Sequence, residues 1–465
     1  MFSTVELPLW LFVLIVAFAA VAFLSHFLFP SVRWFFRRRM ERAVARLNAR
    51  LVRPISPFKF MRRQDVVVRL AYDPKVMAAV VEEATETGKP ENVVFDEARS
   101  YAREIAPAFS ATLYFGFATS AARWLSQLFY RVKVGKVDDA IAEIDPRATV
   151  VFVMNHRSNM DYVLVTWLVA DRSAISYAVG EWARIWPLSA LIRSTGAYFI
   201  RRNSRNHLYR QVLARYVQMA TAEGTTQAIF PEGGLSLDGR VGAAKLGLLS
   251  YMVQGFEHEP SRDVVFVPVG LAYDRVLEDR LLTEAHQTGI RRFRARPLAI
   301  LGFIWRMIWR KLTGRFPGFG TATVAFGAPL SLREFVGDRT EGLSFERVTV
   351  GLGVRLMEEV QKSVPVLPVP LVAAAIGTSP VPRAELPGRV ADIVERLEAA
   401  GQPLELPEGG ALGAIVEGLG ALIQRDMILE LENALCPAPG KEALLAYYAS
   451  PILQMLERVA ATPQT

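Results

Sequence analysis

From about residue 148 the chain alternates short β-rich runs with longer segments of helical pattern, and this alternation restricts the fold more than any other feature. The runs are TVVFVM (149–154), AISYAVG (174–180), GAYFI (196–200), TQAIF (226–230), VVFVPVGLAY (264–273) and TATVAF (321–326). They are rich in β-branched and aromatic residues and mostly lack polar alternation, the pattern of strands covered on both faces. Between them, segments such as RNHLYRQVLARYVQMATAEG (205–224) space their apolar residues for a helix. Helices on both sides of a largely buried sheet are expected, which defines an α/β domain over 148–335. Residues 73–130 read as helices broken at AYDPK and ETGKPEN. The stretch 336–465 reads as a helical C-terminal region with Pro-rich breaks at SVPVLPVP and CPAPGK.

The N-terminus follows a different rule. Pro8 to Phe29 is a nearly unbroken apolar stretch, and about 22 residues at roughly 1.5 Å each reach about 33 Å, enough for a bilayer core. A transmembrane helix over 1–30 is expected. Arg33, Arg37, Arg38, Arg39, Arg42, Arg46 and Arg50 follow it, so the positive-inside rule puts the remainder on the cytoplasmic side, at the inner membrane if the cell is bacterial. Within 31–147, Val32, Phe36, Met40, Val44, Leu47 and Leu51 mark one apolar face of a basic helix suited to an interface. A second such segment is Arg296 to Phe316, where tryptophans alternate with Arg and Lys. The formal charge of +8 and 51% hydrophobic content agree with an anionic membrane surface as partner. Zinc-ligand spacing, basic heptads and ribonucleoprotein aromatics are all missing from the sequence, which argues against nucleic acid. The single cysteine, Cys436, excludes an internal disulfide framework.

Ligands of α/β sheets gather where strands end, and three strand ends here are polar: NHRSNMD (155–161), the RRNSRN that follows GAYFI, and FPEGGLSLDGR (230–240). In the first, His156 sits on a tight loop and Asp161 near the start of the next helix. A carboxylate that accepts from imidazole Nδ1 fixes the tautomer and supports the imidazolium formed when Nε2 takes a proton. That is a general base with its orienting partner. It needs no protein nucleophile if the substrate brings a hydroxyl. Arg157 and the helix N-terminus add positive potential for an anionic ligand. Each residue also has a plainer reading: Asp161 as a helix cap, Arg201 and Arg202 as a solvated pair, Glu232 and its glycines as a turn.

Taken in order, NHRSNMD, GAYFIRR, FPEGGLSLDGR and VPVGLAYD (267–274) resemble the four blocks of the glycerolipid acyltransferases. They are closest to the bacterial and mitochondrial glycerol-3-phosphate acyltransferases. NHLYRQVLARYVQ, VAFGAPLSL and the late LLAYYASPI extend the similarity nearly to the C-terminus. The resemblance implies an α/β acyltransferase domain with a mixed sheet flanked by helices. It implies transfer of a fatty acyl chain from acyl-CoA or acyl-carrier protein to the sn-1 hydroxyl of glycerol 3-phosphate, giving lysophosphatidate, with no metal or organic cofactor. Carried over by position, His156 resembles the catalytic base, Asp161 its partner and Arg157 the basic residue of the first block. Arg201 and Arg202 would hold the acceptor's phosphate. Glu232, Gly233 and Gly234 match the acceptor site of the third block, and Pro268 matches the fourth.

The third block departs from the family pattern. Leu235 and Leu237 stand where two arginines are usual, while Arg240 is retained and Lys245 follows. An acceptor other than glycerol 3-phosphate therefore stays open: dihydroxyacetone phosphate, lysophosphatidate or another lipid alcohol. A non-catalytic lipid- or carrier-binding membrane protein is the alternative from outside enzymology.

Overall fold

The computed structural model describes residues 8–16, 42, 45–135, 143–170, 173–180, 184, 188–201, 204–258, 262–290, 297–314, 316, 318–337 and 344–461. The chain divides into two compact units, Met1–Pro54 and Ile55–Thr465. In the first, residues 9–16 are helical and 45–48 form a further turn of helix. The rest of the expected span and most of the basic helix behind it lie outside the described residues. Among the described residues, no helix is long and apolar enough to cross a membrane.

The second unit is built on one sheet. Its strands are β1 (Arg131–Val134), β2 (Thr149–Met154), β3 (Ser176–Gly180), β4 (Tyr198–Ile200), β5 (Gln227–Ile229), β6 (Val264–Tyr273), β7 (Thr321–Phe326) and β8 (Leu330–Ser331). They lie in the order β1-β7-β6-β2-β5-β3-β4, with β8 also on β6. From β6 to β4 all pairs are parallel, whereas β7 and β8 run antiparallel to β6. The sheet is mixed, as expected, and all six β-rich runs of the sequence are strands. β1 and β8 carry no such signal: RVKV is half polar and LS too short, and each is held as a strand by its partner.

Both faces are covered. Along β2, Val150, Phe152 and Met154 enter one apolar core while Val151 and Val153 enter the other, the two-residue period of a strand. One core is closed by helices Thr119–Phe129, Met160–Val169 and Pro297–Leu312 and by the C-terminal helices. The other is closed by helices Arg63–Ala71, Pro74–Thr87, Glu91–Ile105, His207–Ala222, Gly247–His258 and Phe345–Ser363. AYDPK and ETGKPEN do break helices: Asp73 caps one, with its carboxylate accepting from Lys75 N–H, and Gly88 ends it at φ +66°. SVPVLPVP is only partly a break, because Pro368 opens the buried helix Pro368–Ile376, where a missing N–H costs nothing. The C-terminal region is helical with one addition, a small sheet of β9 (Val381–Pro382), β10 (Ile428–Leu431) and β11 (Ala434–Pro437).

Pro268 lies inside central strand β6, normally a poor place for a residue without an N–H. Its carbonyl accepts from Gly327 N–H on the β7–β8 side, at the break between those two strands. The missing donor faces that break, so no ladder bond is lost. Nearby, Gly270 of β6 passes so close to the end of helix Phe345–Ser363 that an added Cβ would overlap the backbone of Ser363 and Val364. β6 is pinned by neighbours on both sides and cannot retreat. Gly270→Ala is expected to destabilise the protein by about 1–3 kcal/mol or more, read as a fall in the midpoint of thermal unfolding. An unchanged midpoint would mean that this helix end is free to shift.

Candidate active site

β2 ends at Met154, and the next residue continues the sheet with its side chain. Asn155 Nδ2 donates to Leu271 O (3.0 Å) and Oδ1 accepts from Leu271 N–H (2.8 Å), as a neighbouring peptide would. The chain can then leave the sheet as a loop without orphaning buried groups of β6.

That loop places His156 and Asp161 together. His156 Nδ1 lies 2.9 Å from Asp161 Oδ2, and the two side chains are 2% and 0% exposed. Asp161 Oδ2 also accepts from the backbone N–H of Arg157 (2.7 Å) and Ser158 (3.0 Å), while Oδ1 accepts from the Tyr273 hydroxyl (2.6 Å). A buried carboxylate is expensive unless its lone pairs are used, and four donors use them here. With Nδ1 donating to Asp161, Nε2 carries the imidazole lone pair. The ring is held by stacking on Phe230 (4.2 Å between centroids) and by the edge of Tyr162 (5.4 Å). Asp161 sits in the first turn of Met160–Val169 without capping it: the N-cap is Asn159, with no side-chain bond to the helix, and the Asp161 oxygens serve the histidine, Tyr273 and the preceding loop.

Glu232 approaches from the end of β5. Its Oε1 accepts His156 N–H (2.9 Å) and its Oε2 accepts Gly242 N–H (3.3 Å). Burial pushes its carboxyl up to about 7 against the two hydrogen bonds, which pull it down. The following loop lies across the histidine, with Ser236 N–H donating to His156 O (2.9 Å). Gly233 and Gly239 take positive φ (+67° and +91°), and a Cβ at Gly239 would overlap the Tyr447 carbonyl. Gly234 is buried beside them.

The two arginines nearest these blocks tie the loop to the last helix, Glu442–Ala461. Arg157 is 4% exposed; it donates to Gly239 O and lies 4.8 Å above the Tyr447 ring. Arg240 forms a two-pronged pair with Glu457 (2.5 and 2.9 Å), and Gln454 bonds Val241 through both N–H and C=O (2.9 Å each). Leu235 and Leu237 pack against the apolar core. Lys245 is exposed, with its side chain against Gly233.

Arg201 lies at the end of β4, three strands from β2. Its guanidinium makes two bonds to Glu104 (2.9 and 2.6 Å), which Arg184 also engages. Burial pushes the Glu104 carboxyl up, but the two arginines outweigh it and hold it below its ordinary value. Arg193 donates to the carbonyls of Glu104 (2.8 Å) and Ala106 (3.2 Å); burial, with Arg63 and Arg184 nearby, brings it down to about 10. Arg202 lies outside the described residues.

The structure therefore brings His156, Asp161, Glu232 and the glycines together, ties Arg157 and Arg240 to the C-terminal helix, and leaves Arg201 at the far edge. Sequence reasoning passed over Asn155, Tyr273 and Glu278. Glu278 accepts from Ser158 Oγ (2.8 Å) and from Asn159 N–H and Nδ2 (3.2 and 3.0 Å), which fixes the far side of the loop. Tyr273 and Asn155 stood within quoted motifs, but nothing local marks a strand tyrosine as a carboxylate donor.

Residues 136–272 match the family described as Acyltransferase, and residues 305–460 match the Glycerol-3-phosphate acyltransferase C-terminal region. A glycerol-3-phosphate acyltransferase of Pseudomonas savastanoi pv. phaseolicola is 28% identical over 331 residues, 68% of this chain and 38% of that protein. One of Xanthomonas campestris pv. campestris is 30% identical over 305 residues, 64% of this chain and 33% of that protein. The chain thus carries an acyltransferase domain. These matches relate it to the glycerolipid acyltransferases of the bacterial glycerol-3-phosphate type. It spans well under half the length of these relatives.

The raised carboxyl of Glu232 has a consequence for stability. Its value near 7 lies above the ordinary 4.5, so the folded state keeps a proton that the unfolded chain releases. The stabilisation is complete below about pH 4.5 and is lost as pH rises through about 7. Glu232→Gln, which stays neutral, is expected to raise the melting temperature relative to wild type increasingly from pH 5 to pH 8. A difference that does not change with pH would show that Glu232 ionises as freely as in water.

Proposed function

We propose that this chain transfers a fatty acyl group from the thioester of acyl-CoA or acyl-carrier protein to the sn-1 hydroxyl of glycerol 3-phosphate, releasing lysophosphatidate. The observation that carries this reading is the buried His156–Asp161 pair with Tyr273 and two backbone amides on the carboxylate. His156 Nε2 takes the proton of the acceptor hydroxyl as its oxygen attacks the thioester carbonyl. The tetrahedral intermediate collapses by breaking the C–S bond, and the imidazolium returns the proton to the departing thiolate. Asp161 holds the tautomer and offsets the charge of the imidazolium. Glu232, bonded to His156 N–H, keeps the loop in register and can receive an acceptor hydroxyl.

Arg201 and Arg202 meet the acceptor's phosphate in this reading, because the guanidinium fork matches its oxygens. At Arg201 a phosphate competes with Glu104 for the same donors. The apolar packing of Leu235 and Leu237 supports a second reading, in which the acceptor is a bulkier or unphosphorylated lipid alcohol. The N-terminal apolar stretch would anchor the enzyme as a single span, with the domain on the cytoplasmic side.

His156→Ala is expected to lower kcat by about 10²–10⁴ without unfolding the protein, in a thiol-release assay with glycerol 3-phosphate and acyl-CoA; residual turnover above a hundredth of wild type would refute the base assignment. Arg201→Ala is expected to raise KM for glycerol 3-phosphate about 10–100-fold and to leave KM for the thioester nearly unchanged. If only the thioester KM rises, Arg201 serves the acyl donor, and an unphosphorylated acceptor becomes the better reading.

A further inference from the structure

Helix Pro297–Leu312 is apolar around most of its circumference, and the fold buries only part of it. Ile304, Met307 and Ile308 pack into the core beside Phe303, whose ring stacks on Phe129 at 5.9 Å. The opposite stripe, Trp305, Trp309 and Leu312 at i, i+4 and i+7, is 68%, 61% and 77% exposed. A helix that is apolar on all sides normally finds a cover. The neighbouring helix Thr119–Phe129 and the π-helical turn before it, Thr112–Ala118, repeat the pattern, with Phe117 59% and Trp124 52% exposed. The two elements are joined where Lys311 Nζ donates to the carbonyls of Gln127 (3.0 Å) and Leu128 (3.2 Å).

Charge says what covers them. The sequence has no Asp or Glu from Ile105 to Val137, nor from Ala285 to Arg333, while both stretches carry several Arg and Lys. Tryptophans set among cations with no acid nearby match the boundary of an anionic bilayer, where indole is placed between headgroup and chain and cations meet lipid phosphate. A protein partner of ordinary surface would not call for acid-free sequence over both stretches.

We propose that helices Thr112–Phe129 and Pro297–Leu312 form a second membrane-contact face that seats the catalytic domain on an anionic lipid surface. Helix Thr119–Phe129 packs on helix Met160–Val169, which carries Asp161. The face therefore stands one helix away from the His156–Asp161 pair, and an acyl chain can remain in lipid while its thioester reaches the site.

The test uses the full-length protein with its only cysteine replaced, Cys436→Ser, and single labelling sites introduced one at a time as Trp124→Cys, Trp305→Cys and Trp309→Cys. Leu412→Cys and Val416→Cys, at exposed apolar positions on another helix, serve as controls. Each carries a nitrobenzoxadiazole label and is reconstituted with vesicles of phosphatidylcholine and phosphatidylglycerol containing doxyl-lipid quencher. The expected result is quenching at the three test sites severalfold above the controls, and weaker in phosphatidylcholine alone and at high salt. Quenching no greater than at the controls overturns the proposal. So does protection that depends on protein concentration and not on lipid, which would identify a second copy of the chain as the cover. The readout involves no turnover, so it is independent of whether the acceptor is glycerol 3-phosphate.

Discussion

Asp161 is a carboxyl group with no exposed surface, and much of the architecture around it compensates for that. Its oxygens receive the His156 ring, two loop amides and the Tyr273 hydroxyl. The donors come from two places the fold must fix, the loop after β2 and the end of β6, and the carboxylate itself is held by the first turn of Met160–Val169. Removing one donor would leave a buried lone pair unmet, at about 1–3 kcal/mol. The geometry that orients the histidine is thus the same geometry that makes the carboxylate tolerable. Catalytic alignment and stability are coupled at this residue.

The C-terminal region is part of the same unit. Tyr447, Gln454 and Glu457 of the last helix meet Arg157, Gly239, Arg240 and Val241, and Tyr448 receives Val276 N–H and donates to Asp279. The loop that lies across His156 is therefore held from outside the acyltransferase domain. This gives a physical reason for two matched families to occur in one chain: the second supplies the clamp for a loop of the first.

The positive charges divide by what they can reach. Arg157 and Arg240 are spent on the clamp, while Arg63, Arg184, Arg193 and Arg201 gather at the C-terminal end of helix Glu91–Ile105, whose carbonyls and Glu104 answer them. The helix's negative pole favours cations there, and one carboxylate neutralises only part of the group. Leu235 and Leu237, where the resemblance leads one to expect two arginines, are partly buried and pack against the core.

The sequence alone determined the sheet's main strands, the helices between them, and the His156–Asp161 pairing. All are local consequences: a strand covered on both faces must be apolar throughout, and five residues bring a loop histidine back to the first turn of the next helix. Tertiary structure decided what depends on meetings across the fold. Asn155 became a substitute peptide because β6 runs past the end of β2, Tyr273 became a donor because its strand ends beside Asp161, and Arg157 and Arg240 became clamp residues because the last helix lies over them. RVKV became a strand because β7 offered it an edge. Residue types carry the capacity for such contacts, but only the assembled sheet and its covering helices bring the partners within about 3 Å, where hydrogen bonds operate.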